Sequence, residues 1–307
     1  MSLRFGLLGT GHWAGEAHAP GIAGHDDATL VGVWGRDPAK AEALAGRFGA
    51  VGFEDLDSLL AAVDAVAIAV PPDVQADLAV RAAAAGRHLL LDKPLALSLE
   101  DARRVVDAVE ASRVASVIFF TTRFDPEVAA WLDSLRQVGG WQGAQGTWFG
   151  SIFYAGSPYA ESAWRRSKGA LWDIGPHVLA LAIPALGAVE HVTAASGLGD
   201  TVHLILGHRG GATSTLSLSL TAPQAATTTR FAVHGVAGWS EVPSGGRTVV
   251  QAFGEAISQL DGMVATGSTD HPCDVRFGAE VVAVLDAAER VLATPLDARA
   301  APVVGRR

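Results

Sequence analysis

At 307 residues the chain exceeds what a single hydrophobic core usually supports, so two domains are expected. Hydrophobic residues make up 49% and charged residues 18%, and a net charge of -9 argues against a nucleic acid or an anionic membrane surface as the main partner, which leaves a small molecule. A single cysteine, Cys273, forbids an internal disulfide and fits a reducing cytoplasm, and the longest apolar runs, such as VASVIFF, are far too short to span a bilayer.

In chain order, LRFGLLG, ATLVGVWG, VDAVAIAV, GRHLLLD and VASVIFF read as five strands separated by helical patterns rich in Ala and Leu. Strands this continuously apolar are buried on both faces, which predicts an α/β fold with a doubly wound parallel sheet over residues 1–119. Asp37 followed by Pro38 caps a helix that runs toward Gly49, and Ser98 with Asp101 starts the helix LEDARRVVDAVEAS. From residue 120 to 307 the pattern changes. AQGTWFGSIF, HVTAAS, TVHLILG, ATSTLSLSL and TRFAVHG read as strands of a large, mostly antiparallel open sheet in a second α/β domain. Leu216, Leu218 and Leu220 form its buried face, with Thr215, Ser217 and Ser219 on the open one. One further helix, GAEVVAVLDAAERVLA, closes the second domain.

The first strand runs into GLLGTGHWAG, which holds Gly9, Gly11 and Ala14 in G-x-G-x-x-[GA] spacing at the start of a helix. Such a turn lets a pyrophosphate approach the backbone and meet the unpaired amides of the helix N-terminus, so Gly9, Gly11, His12, Trp13 and Ala14 are expected to line a dinucleotide. The second strand ends in Trp34-Gly35-Arg36. A carboxylate there would hold the ribose hydroxyls of NAD, whereas a small residue followed by arginine leaves room and charge for the 2'-phosphate of NADP. Asp37 is explained as the cap before Pro38, so NADP is the preferred cofactor and NAD the alternative.

GLLGTGHWAGEAHAPGI, VGVWGRDPAKAEALAGRFG, AIAVPPDVQADLAVRAAAAGRHLLLDKPLALS and GALWDIGPHVLALA follow one another in an order that resembles the Gfo/Idh/MocA family of nicotinamide-dependent oxidoreductases. The resemblance implies an N-terminal Rossmann domain that binds NAD or NADP and a C-terminal domain that carries substrate-binding and oligomerisation surfaces. It also implies hydride transfer at a hydroxyl or carbonyl carbon of a sugar, polyol or related cyclic molecule.

Taken alone, Lys93 is as readily a snorkelling surface lysine as a functional one, although it is one of only three lysines in the chain. The family pattern Glu-Lys-Pro matches Asp92-Lys93-Pro94 and implies a catalytic role for Lys93, with the shorter Asp92 as a departure. The sharp turn makes Lys93-Pro94 a candidate cis peptide. In WDIGPHVLALA, Asp173 and His177 read individually as a helix-entry cap and a packed polar residue. The family pattern D-x-G-x-H instead makes them an acid and a histidine for the substrate hydroxyls, with the helix N-terminus disfavouring an imidazolium.

The resemblance also sets Val70, Pro71, Pro72 and Gln75 beside the nicotinamide, with Asp92 and Lys93 bordering the same cofactor, and Gln75 stands where relatives frequently have histidine. Ala180 replaces a frequent acid, and Arg123, Trp164 and Arg165 are secondary candidates. No metal is expected, since the histidines show no metal spacing. A homodimer or homotetramer through the C-terminal sheet is expected. The departures at Asp92, Gln75 and Ala180 leave one other reading, a catalytically inactive binding protein of the same fold that senses the cofactor.

Overall fold

The structure is a computed structural model and describes residues 2–294. Its first unit comprises the chain up to Asp133 together with Pro243–Val282, and its second comprises Ser134–Val242 together with the chain from Ala283 onward.

In the first unit six strands pair in parallel in the order β3-β2-β1-β4-β5-β6. They are β1 (Leu3–Leu8), β2 (Ala28–Trp34), β3 (Val51–Phe53), β4 (Ala65–Ile68), β5 (His88–Asp92) and β6 (Ser116–Phe119). Every residue of β4 and β6 is buried, as the apolar runs predicted for strands covered on both faces. The sixth strand is a correction to the five expected. At three residues, β3 is too short to show a period, and it forms because Val51, Gly52 and Phe53 find partners in Gly32, Val33 and Trp34. Helix starts agree with the capping residues. Asp37 accepts from the amides of Ala39 and Lys40 at the head of Pro38–Gly46, and Ser98 accepts from Asp101 at the head of Leu99–Ser112.

The second unit is built on β7 (Trp141–Phe149), β8 (Val189–Ser196), β9 (Val202–His208), β10 (Thr213–Ser219), β11 (Thr228–Gly235) and β12 (Gly238–Glu241), in the order β12-β11-β7-β10-β9-β8. All pairs are antiparallel except β7 with β10. Leu216, Leu218 and Leu220 are buried and Thr215 is exposed, as the alternation predicts. Ser219 departs from it. Its hydroxyl donates to Asp200 and is buried, so the open face ends one residue early.

Besides β3, the strand β12 and the helices Pro126–Val138, Ala163–Asp173 and Val249–Thr266 are additions to the elements expected. The last begins with a full capping box, Thr248 with Gln251, which is a legible signal. The span Ala163–Leu186 is long and apolar enough to cross a membrane, yet 78% of its apolar window is buried inside the protein, as befits a core helix.

His271 shows how the first unit handles a buried base. Its Nε2 pairs with Gln259 Oε1 at 2.7 Å, and its Nδ1 accepts from the Cys273 amide at 3.0 Å, so the neutral ring is fully used. Burial lowers its pKa to about 4, and the nearby Arg123 acts in the same direction. Burial also lowers the pKa of His18 to about 3 and raises that of the Cys273 thiol to about 11. A histidine with a depressed folded-state pKa binds its proton more readily when unfolded. Its contribution is therefore complete above the unfolded value near 6.5 and is lost as pH falls toward the folded value. Denaturant titrations between pH 6.5 and 5 are expected to show unfolding free energy falling by up to ~1.4 kcal/mol per pH unit for each of the two groups. His271→Gln should remove about one proton from that slope. A flat profile in this window would contradict the burial argument.

Candidate active site

The candidate residues divide between the two units. In the first, the loops after β1, β4 and β5 stand side by side, because those strands are neighbours and all run the same way. The order reverses between β1 and β4, and in open α/β sheets ligands bind beyond the strand ends at that reversal.

The loop after β1 is shaped by two glycines with different tasks. Gly9 has φ 125° and donates its amide to Trp34 O at 2.8 Å, and a Cβ there would collide with the carbonyl of Ala69. At Gly11, which is exposed, a Cβ would stand in open space, so packing does not require glycine there. The chain is helical from residue 12, with a π-helical segment Ala14–His18 leading into Ala19–Ala23. Ala14 is buried, Trp13 is half-buried and His12 is exposed, with the two rings in edge contact at 5.9 Å. Val70 leans on the same loop, 3.3 Å from where a Gly9 Cβ would lie, and Pro71 and Pro72 start the helix Pro72–Ala84.

At the end of β2, Thr10 crowds Gly35, whose Cβ would stand 2.8 Å from Thr10 Cγ2. A side chain at this position would have to displace Thr10, and the next side chain, Arg36, is exposed. Asp37 is occupied in capping, as expected from Pro38.

The turn after β5 is held from beneath by Gln75, which is buried. Gln75 Oε1 accepts from the Asp92 amide at 3.2 Å, while Nε2 donates to the carbonyls of Asp92, Pro94 and Leu95 at 2.8, 2.9 and 3.3 Å. The Lys93-Pro94 peptide is cis. Asp92 Oδ1 accepts from the Lys93 amide at 2.8 Å, and its Oδ2 lies 3.8 Å from Nε2 of the buried His18. Lys93 itself is half-buried. Gln75 thus meets backbone of the Lys93 turn, a position-holding contact that its expected place beside the nicotinamide did not foresee.

In the second unit the helices Ala163–Asp173 and Gly175–Leu186 are separated by Ile174 alone. Asp173 is therefore the last residue of one helix rather than a lead-in to the next, and His177 lies in the first turn of the second. The amides of His177 and Val178 both reach Ile174 O, at 3.0 and 3.4 Å. The expected open helix N-terminus beside His177 is thus largely used up, and its electrostatic argument against an imidazolium loses force. The His177 ring stacks on Trp148 of β7, with centroids 5.2 Å apart. Asp173 accepts from Arg165 Nε at 3.0 Å, and the guanidinium lies over the rings of Tyr159 and Trp164 at 4.6 and 4.4 Å.

The first of these helices bends at Gly169, with φ 62° and ψ -161°, where only glycine is comfortable. Asp200 anchors the bend. It accepts from the Ala170 amide at 3.1 Å and also from Ser219, Leu220 and Thr221. Ala180 is fully buried, so an acid at that position would be desolvated. Arg123 lies over Phe277 at 5.7 Å in the first unit. Among the described residues no His, Cys, Asp and Glu cluster is arranged to hold a metal. His18, Trp148 and Asp200 have partners 74, 29 and 30 residues away, a range that leaves no local signal in the sequence.

Residues 3–119 match the model described as "Oxidoreductase family, NAD-binding Rossmann fold", and residues 141–241 match "GFO/IDH/MocA C-terminal domain". A stretch of 132 residues is 40% identical to inositol 2-dehydrogenase of Rhizobium meliloti, covering 42% of this chain and 39% of that protein. The fold is similar to a levoglucosan dehydrogenase in complex with NADH and levoglucosan, at TM-score 0.84 and 22% identity over 95% of this chain and 97% of the other. It is also similar to UDP-N-acetylglucosamine 3-dehydrogenase from Acidithiobacillus ferrooxidans, at TM-score 0.79 and 21% identity over 95% and 98%. The two matched models, the strand order of the first sheet and the Asp92-Lys93-Pro94 turn agree, and the chain belongs to the Gfo/Idh/MocA family of oxidoreductases, with an NAD-binding Rossmann fold.

Proposed function

We propose that the chain is an NADP-preferring dehydrogenase or reductase of a sugar, polyol or related cyclic small molecule, acting at a hydroxyl or carbonyl carbon. The observation that carries this reading is the Lys93 turn, clamped by Gln75 at the end of β5 and adjacent to the β1 and β4 loops. The nicotinamide, when bound, takes up or gives the hydride. Gly9, Gly11 and Ala14 hold the pyrophosphate on backbone, with His12 and Trp13 beside it, and Val70, Pro71 and Pro72 border the ring. The exposed, unobstructed backbone of Gly11, just before the helix that starts at residue 12, fits such a group. Arg36, next to a Gly35 that supplies no ribose-binding acid, takes the 2'-phosphate.

Lys93 hydrogen-bonds the reacting oxygen and exchanges its proton, since an alkoxide left free in a dry site is costly. In the second unit His177, steadied by Trp148, and Asp173, fixed by Arg165, are the candidate groups for the substrate hydroxyls. The departures at Asp92 and Gln75 leave the clamp intact, which favours turnover over a purely cofactor-sensing role. Cytoplasmic location is assigned on the single buried thiol, Cys273.

The cofactor reading has a discriminating pair of variants. Gly11→Ala is expected to keep the stability of the wild type while weakening NADPH binding by tenfold or more, because the added methyl group meets no protein atom yet stands where the pyrophosphate would approach the backbone. Gly9→Ala should destabilise the fold itself. Arg36→Ala should raise the Kd for NADPH by roughly tenfold to a hundredfold, as loss of charged hydrogen bonds does, and leave NADH almost unaffected. Equal losses for both dinucleotides would refute the NADP preference.

For the reaction, turnover is measured with NADPH and NADP+ against sugars, inositols and cyclic ketones. Lys93→Met and His177→Ala should each reduce it by on the order of 10²- to 10⁴-fold without loss of NADPH binding. Tight NADPH binding with no turnover across such a panel would favour the sensor.

The outer face of the second sheet exposes Thr213, Thr215 and His203, with Ile205 51% exposed, a surface short of charge. We assign it to self-association as a dimer or tetramer. Sedimentation at micromolar concentration should give that species, and Ile205→Asp should dissociate it. A wild type that sediments only as a monomer would contradict the assignment.

A further inference from the structure

His18 is a costly residue for its position. It is 1% exposed, its ring lies 4.3 Å from that of Phe253 and 6.3 Å from that of Phe119, and its Nδ1 is a buried atom with no hydrogen-bond partner. A buried unpaired polar atom is destabilising, a cost that phenylalanine or leucine in the same aromatic setting would avoid. An unsatisfied buried group of this kind asks for a reason, and the polar group within reach of the other ring nitrogen is the Asp92 carboxylate, 3.8 Å from Nε2.

We propose that His18 is a positioning residue for Lys93 that acts through Asp92. The neutral imidazole faces the inner carboxylate oxygen and keeps the side chain turned so that the other oxygen stays on the Lys93 amide. The 3.8 Å separation is longer than a hydrogen bond, yet a charge and an N–H dipole attract over that distance where water is excluded. Neutrality matters to the role. Burial keeps the imidazole uncharged down to about pH 3, so it orients the carboxylate without neutralising it, and the negative charge stays available to the lysine. A lysine or arginine in that place would compete with Lys93 for Asp92.

His18 also occupies the last residue of the π-helical segment that begins at Ala14, so it connects the dinucleotide loop to the lysine turn within the first unit. The π-helical winding inserts an extra residue per turn and sets the ring's direction.

This inference rests on the role proposed for Lys93, but its first readouts need no turnover. The chain has only Lys40, Lys93 and Lys168, so reductive methylation with ¹³C-formaldehyde gives three lysine resonances, assigned by single Lys→Arg variants. His18→Met, similar in size and without an N–H, should shift or broaden the Lys93 resonance while Lys40 and Lys168 stay in place. His18→Gln, which restores an N–H near the same point, should bring it back toward the wild-type position. In ¹⁵N-labelled wild-type protein the His18 proton should reside on Nε2, and Asp92→Asn should move that nitrogen's shift.

In turnover assays His18→Met should lower kcat by about tenfold, less than removal of the proton donor itself, with KM for NADPH changed by less than about twofold. A Lys93 resonance that does not respond to His18→Met, or a proton found on Nδ1, would overturn the inference. If His18→Met does not fold, the ¹⁵N measurement on the wild type and Asp92→Asn decides alone. Should no substrate turn over while the resonances remain coupled, the proposed activity fails and the positioning role stands.

Discussion

One buried amide governs the geometry of the lysine turn. A primary amide offers two N–H donors and one oxygen acceptor, and Gln75 spends all of them on backbone between Asp92 and Leu95, its nitrogen meeting three carbonyls so that the 3.3 Å contact shares a donor. The turn leaves the sheet at Asp92 and cannot continue the ladder beyond it, so those carbonyls would otherwise be buried and unpaired. A glutamate at position 75 would have no donors for them, and a neutral histidine would have only one. The direction in which Lys93 leaves the backbone is therefore fixed by a residue on a different element, 18 positions away.

The second unit solves a similar problem with a charge instead of an amide. Asp200 gathers the amides of Ala170, Leu220 and Thr221 and the hydroxyls of Ser219 and Thr221. It joins the end of β10 to the bend at Gly169, inside the helix that ends in Asp173. Asp173 then meets Arg165 four residues before the bend, and the guanidinium is itself held over two aromatic rings. Desolvated on both sides, this ion pair is rigid, and removing one partner would leave the other charge stranded. The stack of His177 on Trp148 extends the pattern, with each candidate side chain supported by a neighbour that has no chemistry of its own to perform.

Legibility in the sequence followed the range of the interactions. Period and burial on both faces were enough to read the parallel sheet, local capping chemistry located the helices after Asp37 and Ser98, and the alternation in ATSTLSLSL identified the one-sided strand. What escaped depends on partners distant in the chain. The three residues of β3 become a strand only beside β2, β10 runs parallel to β7 across more than sixty intervening residues, and Ser219 is buried by Asp200. Gln75 shows the same limit at the site, since its position was legible but its hydrogen bonds to the turn were not. The capping box at Thr248 and the Asp125-Pro126 start of the helix Pro126–Val138 are misses that local reasoning could have caught.

The central claim is that the Lys93 amine exchanges the proton of the reacting oxygen. Chemical rescue tests it most directly: Lys93→Ala is assayed with the identified substrate while small primary amines are titrated in. The account predicts that turnover lost in the variant returns with amine concentration and follows amine size and basicity, while NADPH affinity stays constant. A Lys93→Ala protein that turns over at the wild-type rate and is indifferent to added amine would contradict it.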